Sequence, residues 1–274
     1  MKYSYGVAIP LYNPTSQQVN NIKKYKKSFD KVFIFDNSDV MLKKIYTFDD
    51  GFIYITEDTN KGLPYAFNYI LNLEECKELD FLCTIDQDSK FEINEIRLMQ
   101  DKIEKDSNLD LYGIIAPYID YGSNNVKKED KVVEKKWVIS SGSFLNLKYL
   151  YRENIKYDEK YFIDRFEVDL CKQLECKGYK ILMYCGAILE QELGYSNGGN
   201  KKKYANHSVN RHYYIFRNRF YFNNKWYKGI KKFYLNFLQT LKHILDISIY
   251  EDNKIEKIKQ IKKAILDYNK MRKD

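Results

Sequence analysis

The sequence is poor in the residues that staple a fold or anchor it in a bilayer. Its five cysteines form no CxxC pair and no His/Cys cluster. Neither a disulfide framework nor a zinc knuckle organises the chain, and an odd, scattered set fits a reducing compartment. No run approaches the ~18–20 apolar residues that a membrane span requires, and the opening MKYSYGVAIPLYNP lacks the apolar core of a secretion signal. There is no GxGxxG and no GxxxxGKS/T, so the usual dinucleotide and P-loop phosphate cradles lose ground. The expectation is a cytoplasmic protein, soluble or held at the inner face of the cell membrane.

Acidic residues are scarce at one end. Residues 200–274 carry 19 Lys+Arg against 6 Asp+Glu, a surplus of +13, whereas residues 1–199 carry 27 against 32, or −5. The overall +8 of the 274-residue chain therefore belongs to its last quarter. Such a segment seeks a polyanion: anionic lipid, nucleic acid or the phosphates of a substrate. The plainer alternative is a solvated helical surface. Nothing in the first 200 residues supports nucleic-acid binding.

The first 85 residues alternate strand-like and helix-like runs. YSYGVAI (3–9), KVFIF (31–35), FIYIT (52–56) and residues 79–85 read as buried strands; residues 17–29 and 65–73 show helical spacing. This is the pattern of an α/β sheet with helices on its faces. Residues 111–118 read as a further strand and 119–134 as a mobile polar loop. Residues 136–147 read as a strand interrupted by a Ser/Gly turn, 164–177 as a helix and 179–185 as a strand. From residue 206 the chain turns helical. Apolar spacing over 230–245 and again over 255–268 predicts two amphipathic helices with Lys-rich outer faces.

In open α/β sheets ligands lie outside the carboxyl ends of the strands. Four such ends carry polar residues: Pro10-Leu11-Tyr12-Asn13, Asp36-Asn37-Ser38, Thr59-Asn60-Lys61-Gly62 and Asp86-Gln87-Asp88. If the fourth strand continues through Asp86 and Asp88, both carboxylates share one face and call for a cation such as Mg²⁺ or Mn²⁺. Asp pairs are also common at ordinary turns. Asp36 can accept from a base or ribose, or close an Asx turn with Asn37-Ser38. Gly62 suits a tight backbone turn near a ligand. In FIDRFEVDLCKQL (162–174) the acids Asp164, Glu167 and Asp169 sit near a helix start. The helix dipole favours them there, and one of them can serve as a general base. In RHYYIFRNR (211–219), Arg211 and Arg217 can pair with a diphosphate or line a basic helix face.

Taken in order, PLYNP, FDNSD, TNKGLPYAFN, LCTIDQDS, SSGSF, FIDRFEVDLCKQLECKGYKI and RHYYIFRN resemble the family 2 glycosyltransferases with the GT-A fold, particularly the bacterial rhamnosyltransferase-like branch. The resemblance covers about residues 4–222. It implies a mixed, mostly parallel sheet flanked by helices over residues 1–222, with residues 223–274 as a basic, amphipathic helical extension. It also implies inverting, metal-dependent transfer from a nucleotide-diphosphate sugar. Residue by residue, Pro10, Tyr12, Asn13, Asp36, Asn60, Lys61, Gly62 and Asp86 would bind the nucleotide, and Asp88 the Mn²⁺ or Mg²⁺. Ser141 and Gly142 would flank the donor sugar, Arg211 and Arg217 the donor or acceptor. Glu167 would be the base, and Asp169 and Asp164 would support it or bind acceptor hydroxyls.

Two positions depart from the family pattern. Phe166-Glu167 stands where adjacent Glu-Asp is usual, which leaves Glu167 and Asp169 both open as the base. QELG places Glu192 where many members carry a metal-binding His, with His207 as the alternative ligand. The expected donor is dTDP-rhamnose; UDP-galactofuranose, UDP-galactose and UDP-glucose are the alternatives, as is a nucleotide-sugar-binding protein without transfer. The expected acceptor is a lipid-diphosphate-linked or growing cell-surface glycan, met at an anionic membrane surface through the basic tail, with a homodimer as a further expectation.

Overall fold

The structure, a computed structural model, describes residues 2–39, 48, 51–122, 127–191 and 207–271. It divides into two compact units, one of Met1–Phe162 with Phe166–Glu192, the other of Ile163–Arg165 with Leu193–Asp274.

The first unit is built on eight strands: β1 (Tyr5–Leu11), β2 (Lys31–Asp36), β3 (Phe52–Thr56), β4 (Phe81–Thr84), β5 (Tyr112–Asp120), β6 (Val132–Lys135), β7 (Ser143–Asn146) and β8 (Lys180–Glu190). They form one sheet in the order β3-β2-β1-β4-β7-β5-β8-β6. The pairs β1–β2, β2–β3, β1–β4 and β5–β8 are parallel; β7 runs antiparallel to β4 and β5, and β6 to β8. Among its described residues are the helices α1 (Ser16–Lys23), α2 (Leu63–Asn72), α3 (Glu74–Lys77), α4 (Ile93–Lys105), α5 (Leu147–Arg152) and α6 (Phe166–Cys176).

Every residue of β1 and β4 is buried, which explains why these strands read as unbroken apolar runs: both sheet faces are covered. Tyr5, Val7, Ile9 and Leu11 share one core cluster with Ile22 and Tyr25 on the α1 side and Ile96, Met99 and Ile103 of α4. On the other face Phe35 packs edge-on to Tyr65 and Tyr69 of α2. Thr15 starts α1 with a reciprocal capping box to Gln18, worth about 1 kcal/mol.

Two stretches differ from the sequence expectation. Within the loop expected over 119–134, Val132-Val133-Glu134-Lys135 pairs as an edge strand with β8; its charged Glu134 and Lys135 suit an edge that must not recruit another chain. Of the strand expected over 136–147, only Ser143–Asn146 pairs. Gly142 at φ +79° turns the chain into it, and Trp137 before the turn is half exposed.

Among its described residues the second unit holds the long helices α7 (Val209–Trp226), α8 (Gly229–Tyr250) and α9 (Lys254–Met271). Ile261 and Ala264 of α9 pack in a small core with Phe216 and Ile247. Helix α9 fits the expected pattern, apolar inward. Helix α8 corrects it: its outward face carries Phe233, Phe237, Leu241 and Leu245, all exposed, and only Ile247 is fully buried.

Candidate active site

The chain leaves β1 for α1 and β2 on one side and reaches β4 on the other, so strand order reverses between β1 and β4, where α/β sheets bind ligands. The carboxyl ends meet there through specific hydrogen bonds. Tyr12 N donates to Gln87 Oε1 (2.8 Å), and Gln87 Nε2 donates to Tyr12 O (3.1 Å). Asn13 N donates to Ser38 Oγ (2.7 Å), with Asn13 at φ +45°. Asn37 holds the third loop by donating to Gly62 O (3.0 Å) and accepting from Lys61 N (2.9 Å). Pro10, Asp36, Asn37 and Ser38 are buried, while Tyr12 stays 45% exposed with its ring available to stack.

Asp36 closes the Asx turn, accepting from Ser38 N at 2.9 Å, and also accepts from Tyr54 hydroxyl at 2.5 Å. It shapes the loop from behind. Gly62 caps α2 at φ +88°. A Cβ there would lie 2.5 Å from the carbonyl oxygen of Phe162, so only glycine lets these two backbones meet. Asn60 accepts from Gly62 N at 2.9 Å.

The acidic end of β4 is a turn and not an extension of the strand. Pairing stops at Thr84, and Ser89 N donates back to Asp86 O at 3.1 Å. Asp86 is half-buried and Asp88 exposed, so the two carboxylates are unequal by position. Buried Ser141 accepts from Asp86 N (3.1 Å) and donates to Ser89 Oγ (2.7 Å), tying the Ser/Gly turn to the acidic turn. Gly142 N donates to Thr84 O at 2.7 Å. A Cβ on Gly142 would strike Leu189 and Pro117. Gln191 Nε2 donates to Asp86 Oδ2 at 3.3 Å, and its Oε1 is buried with no donor among the described residues. Carboxylate and amide oxygens suit a hard divalent cation, and this donor set fits Mg²⁺ or Mn²⁺. Glu192 lies outside the described residues.

Helix α6 opens with Phe166-Glu167. Phe162, Asp164 and Arg165 before it all have positive φ, an irregular entry. Asn68 holds the preceding loop, donating to Tyr157 O (2.9 Å) and accepting from Tyr157 N (3.0 Å). Glu167 is partly accessible; Asp169 is fully buried, accepting from Tyr161 hydroxyl (3.1 Å) and Gln173 Nε2 (2.9 Å). Burial, then the charges of Glu167 and Asp86, push the Tyr121 hydroxyl pKa up. Burial drives that of Tyr157 up as well, with Glu167 and Asp86 again contributing.

In the second unit Asp164 pairs with Arg211 (3.1 Å), and Arg217 lies over Tyr214 while bonding Asn218 Oδ1. Asn218 Nδ2 in turn donates to the carbonyls of Ile163 and Asp164. Burial and the Arg211 charge lower the His207 pKa.

Among the described residues one His/Glu cluster has metal-ligand proximity: His212, His243 and Glu251. Its bonds form a consistent chain. Arg219 Nη1 reaches His243 Nδ1 (3.5 Å), His243 Nε2 meets His212 Nδ1 (3.1 Å), His212 Nε2 meets Glu251 Oε2 (2.8 Å), and Lys257 donates to the same oxygen (2.8 Å). With the Lys257 ammonium already supplying the cation, the chain accounts for itself as a buried network.

Sequence reasoning missed Gln87, Ser89, Gln191 and Tyr121. Gln87 and Ser89 stood within the quoted acidic motif; Gln191 and Tyr121 carried no local signal.

Comparison with known proteins points one way. The sequence model described as glycosyl transferase family 2 matches residues 7–169. The fragment 1–349 of S. aureus TarS superposes with a TM-score of 0.58 at 12% identity, over 97% of this chain and 80% of that one. The same fragment in complex with UDP-GlcNAc gives 0.57 at 13%, with equal coverage. GalNAc-T7 with UDP, GalNAc and Mn²⁺ gives 0.56 at 13%, over 78% of this chain and 48% of that one. No curated protein sequence matches. At such identities the likeness is one of fold: a GT-A-like mixed, mostly parallel sheet flanked by helices.

Proposed function

The chain belongs to glycosyl transferase family 2, and on that premise we propose that it transfers a sugar, with inversion, from a nucleotide-diphosphate donor to a hydroxyl of a lipid-linked or growing surface glycan. The observation that carries this reading is the backbone contact between the Asn60–Gly62 turn and the segment that leads into α6: Leu63 N donates to Phe162 O at 2.8 Å, and a Cβ on Gly62 would lie 2.5 Å from that oxygen.

In this reading Tyr12, Asn13 and the Asn60–Gly62 turn receive the nucleotide, while Ser141 and Gly142 hold the acidic turn against the donor sugar. Asp88, with Asp86 and Gln191, would hold Mg²⁺ or Mn²⁺, which when bound offsets the charge of the diphosphate. Glu167 takes the proton of the acceptor hydroxyl as that oxygen bonds to the anomeric carbon and the bond to the nucleoside diphosphate breaks. A single displacement inverts the centre. Glu167 suits the base because it is partly accessible at the start of α6, whereas Asp169 is fully buried and both its oxygens accept hydrogen bonds, from Tyr161 and Gln173. Asp169 then supports the α6 start.

The motif resemblance favours dTDP-rhamnose as donor, with UDP-hexoses as the alternatives. The basic last quarter would meet an anionic membrane surface carrying the acceptor. A thermal-shift screen of dTDP- and UDP-sugars, with and without Mn²⁺, tests donor and metal together. A metal-dependent rise in melting temperature with one nucleotide sugar is expected and should vanish in Asp88→Ala. The absence of any shift from every nucleotide sugar would sink the proposal.

A further inference from the structure

Apart from Ile247 and Ile244, which join the small core, helix α8 turns polar residues inward and apolar ones outward. Its polar residues face α7: Asn236 Oδ1 and Gln239 Oε1 accept from Asn223 Nδ2 at 2.8 and 3.1 Å, and His243 stacks on Phe216 at 4.4 Å. These inward positions, 236, 239 and 243, follow helical i, i+3, i+7 spacing. The opposite face carries Ile230, Phe233, Phe237, Leu241, Leu245 and Ile249, exposed by 88, 71, 58, 45, 50 and 61%. From 230 to 249 this stripe runs roughly 28 Å at the rise of an α-helix. A water-facing helix puts these residues the other way round, and a continuous exposed apolar stripe marks a surface that is covered in use.

We propose that α8 lies in the plane of an anionic lipid surface, with its apolar stripe sunk to the headgroup–acyl boundary. No helix among the described residues is long and apolar enough to cross a membrane, so the stripe rests on the bilayer and does not span it. Charge selects lipid as the occupant. Lys228, Lys231 and Lys242 are exposed on or beside α8, and residues 200–274 carry 19 Lys+Arg against 6 Asp+Glu. A second copy of the chain would bring two such basic units together, whereas anionic headgroups neutralise them. The contact deepens the proposed membrane-surface role, and it resolves that role into two parts: lysines that attract and a stripe that inserts.

The test is co-sedimentation of the full chain with mixed phosphatidylcholine/phosphatidylglycerol vesicles and with pure phosphatidylcholine vesicles. It needs neither donor nor acceptor, so its result stands apart from that of the nucleotide-sugar screen. Binding to the anionic vesicles is expected. Phe233→Ser/Phe237→Ser, exposed positions whose change leaves the fold intact, should weaken it about tenfold or more. Lys231→Glu/Lys242→Glu should weaken binding to the anionic vesicles. Phe237→Trp should give a blue-shifted emission on those vesicles. Absence of binding, or binding untouched by the double serine variant, overturns the proposal. So does a dimer in light scattering that the serine variant dissolves, since it assigns the stripe to a second copy.

Discussion

Gln87 and Tyr12 grip each other across the β1–β4 junction, Tyr12 N to Gln87 Oε1 at 2.8 Å and Gln87 Nε2 to Tyr12 O at 3.1 Å. One side chain from inside the Asp-Gln-Asp turn thereby fixes the backbone of the loop that presents the exposed Tyr12 ring. Gln87→Ala removes both bonds at an exposed position, where each is worth on the order of 1 kcal/mol. The melting temperature should fall by only a few degrees. Donor KM should rise several-fold with kcat little changed. Steady-state kinetics against nucleotide sugar reads the split.

The two acids of α6 should separate cleanly. Glu167→Gln keeps its shape and loses its proton acceptor, so donor affinity should persist while kcat falls by about 10²-fold or more. Asp169→Asn disturbs the bonds to Tyr161 and Gln173; it should cost about 1–3 kcal/mol of stability and leave substantial transfer below its melting point. Calorimetry of donor binding beside single-turnover transfer distinguishes them. A dead but fully stable Asp169→Asn would reverse the assignment.

Gly62→Ala places a methyl 2.5 Å from Phe162 O on a backbone at φ +88°. Strain of this kind costs about 1–3 kcal/mol, and relief requires moving the loop that leads to α6. Thermal unfolding should show the loss, and transfer should drop with it because Phe162 stands five residues before Glu167.

The buried histidines predict acid sensitivity of the helical unit. Burial, then the Arg219 charge and His212, lower the His243 pKa from 6.5 to about 3, and burial lowers that of His212 despite Glu251. Between these values the unfolded chain binds a proton that the folded chain refuses, so stability is intact above 6.5 and is lost as pH falls below it. From pH 7.5 to 5 the loss from His243 is on the order of 2 kcal/mol. Urea unfolding followed by Trp226 emission in a Trp137→Phe background should show it. His243→Phe, which keeps the stack on Phe216, should flatten the dependence.

The sequence determined the sheet's central strands and the polar edge at their carboxyl ends. β1, β2 and β4 are buried on both faces, so their apolar runs stand out locally, and the polar residues that end them, Tyr12-Asn13, Asn37-Ser38 and Asp86-Gln87-Asp88, are adjacent in sequence to those runs. The glycine at 62 and the acidic helix start at 167 were equally legible, because backbone turns and helix starts are local. Tertiary structure alone decided the rest. Whether Asp86 and Asp88 share a strand face depended on where pairing with β1 and β7 stops, and it stops at Thr84. That Gln191 reaches Asp86 depends on β5 and β8 running parallel in one sheet. Helix periodicity located the apolar stripe of α8 but not its direction. A period of 3.6 gives a helix two faces, and only the hydrogen bonds of Asn223 to Asn236 and Gln239 turned the polar one inward.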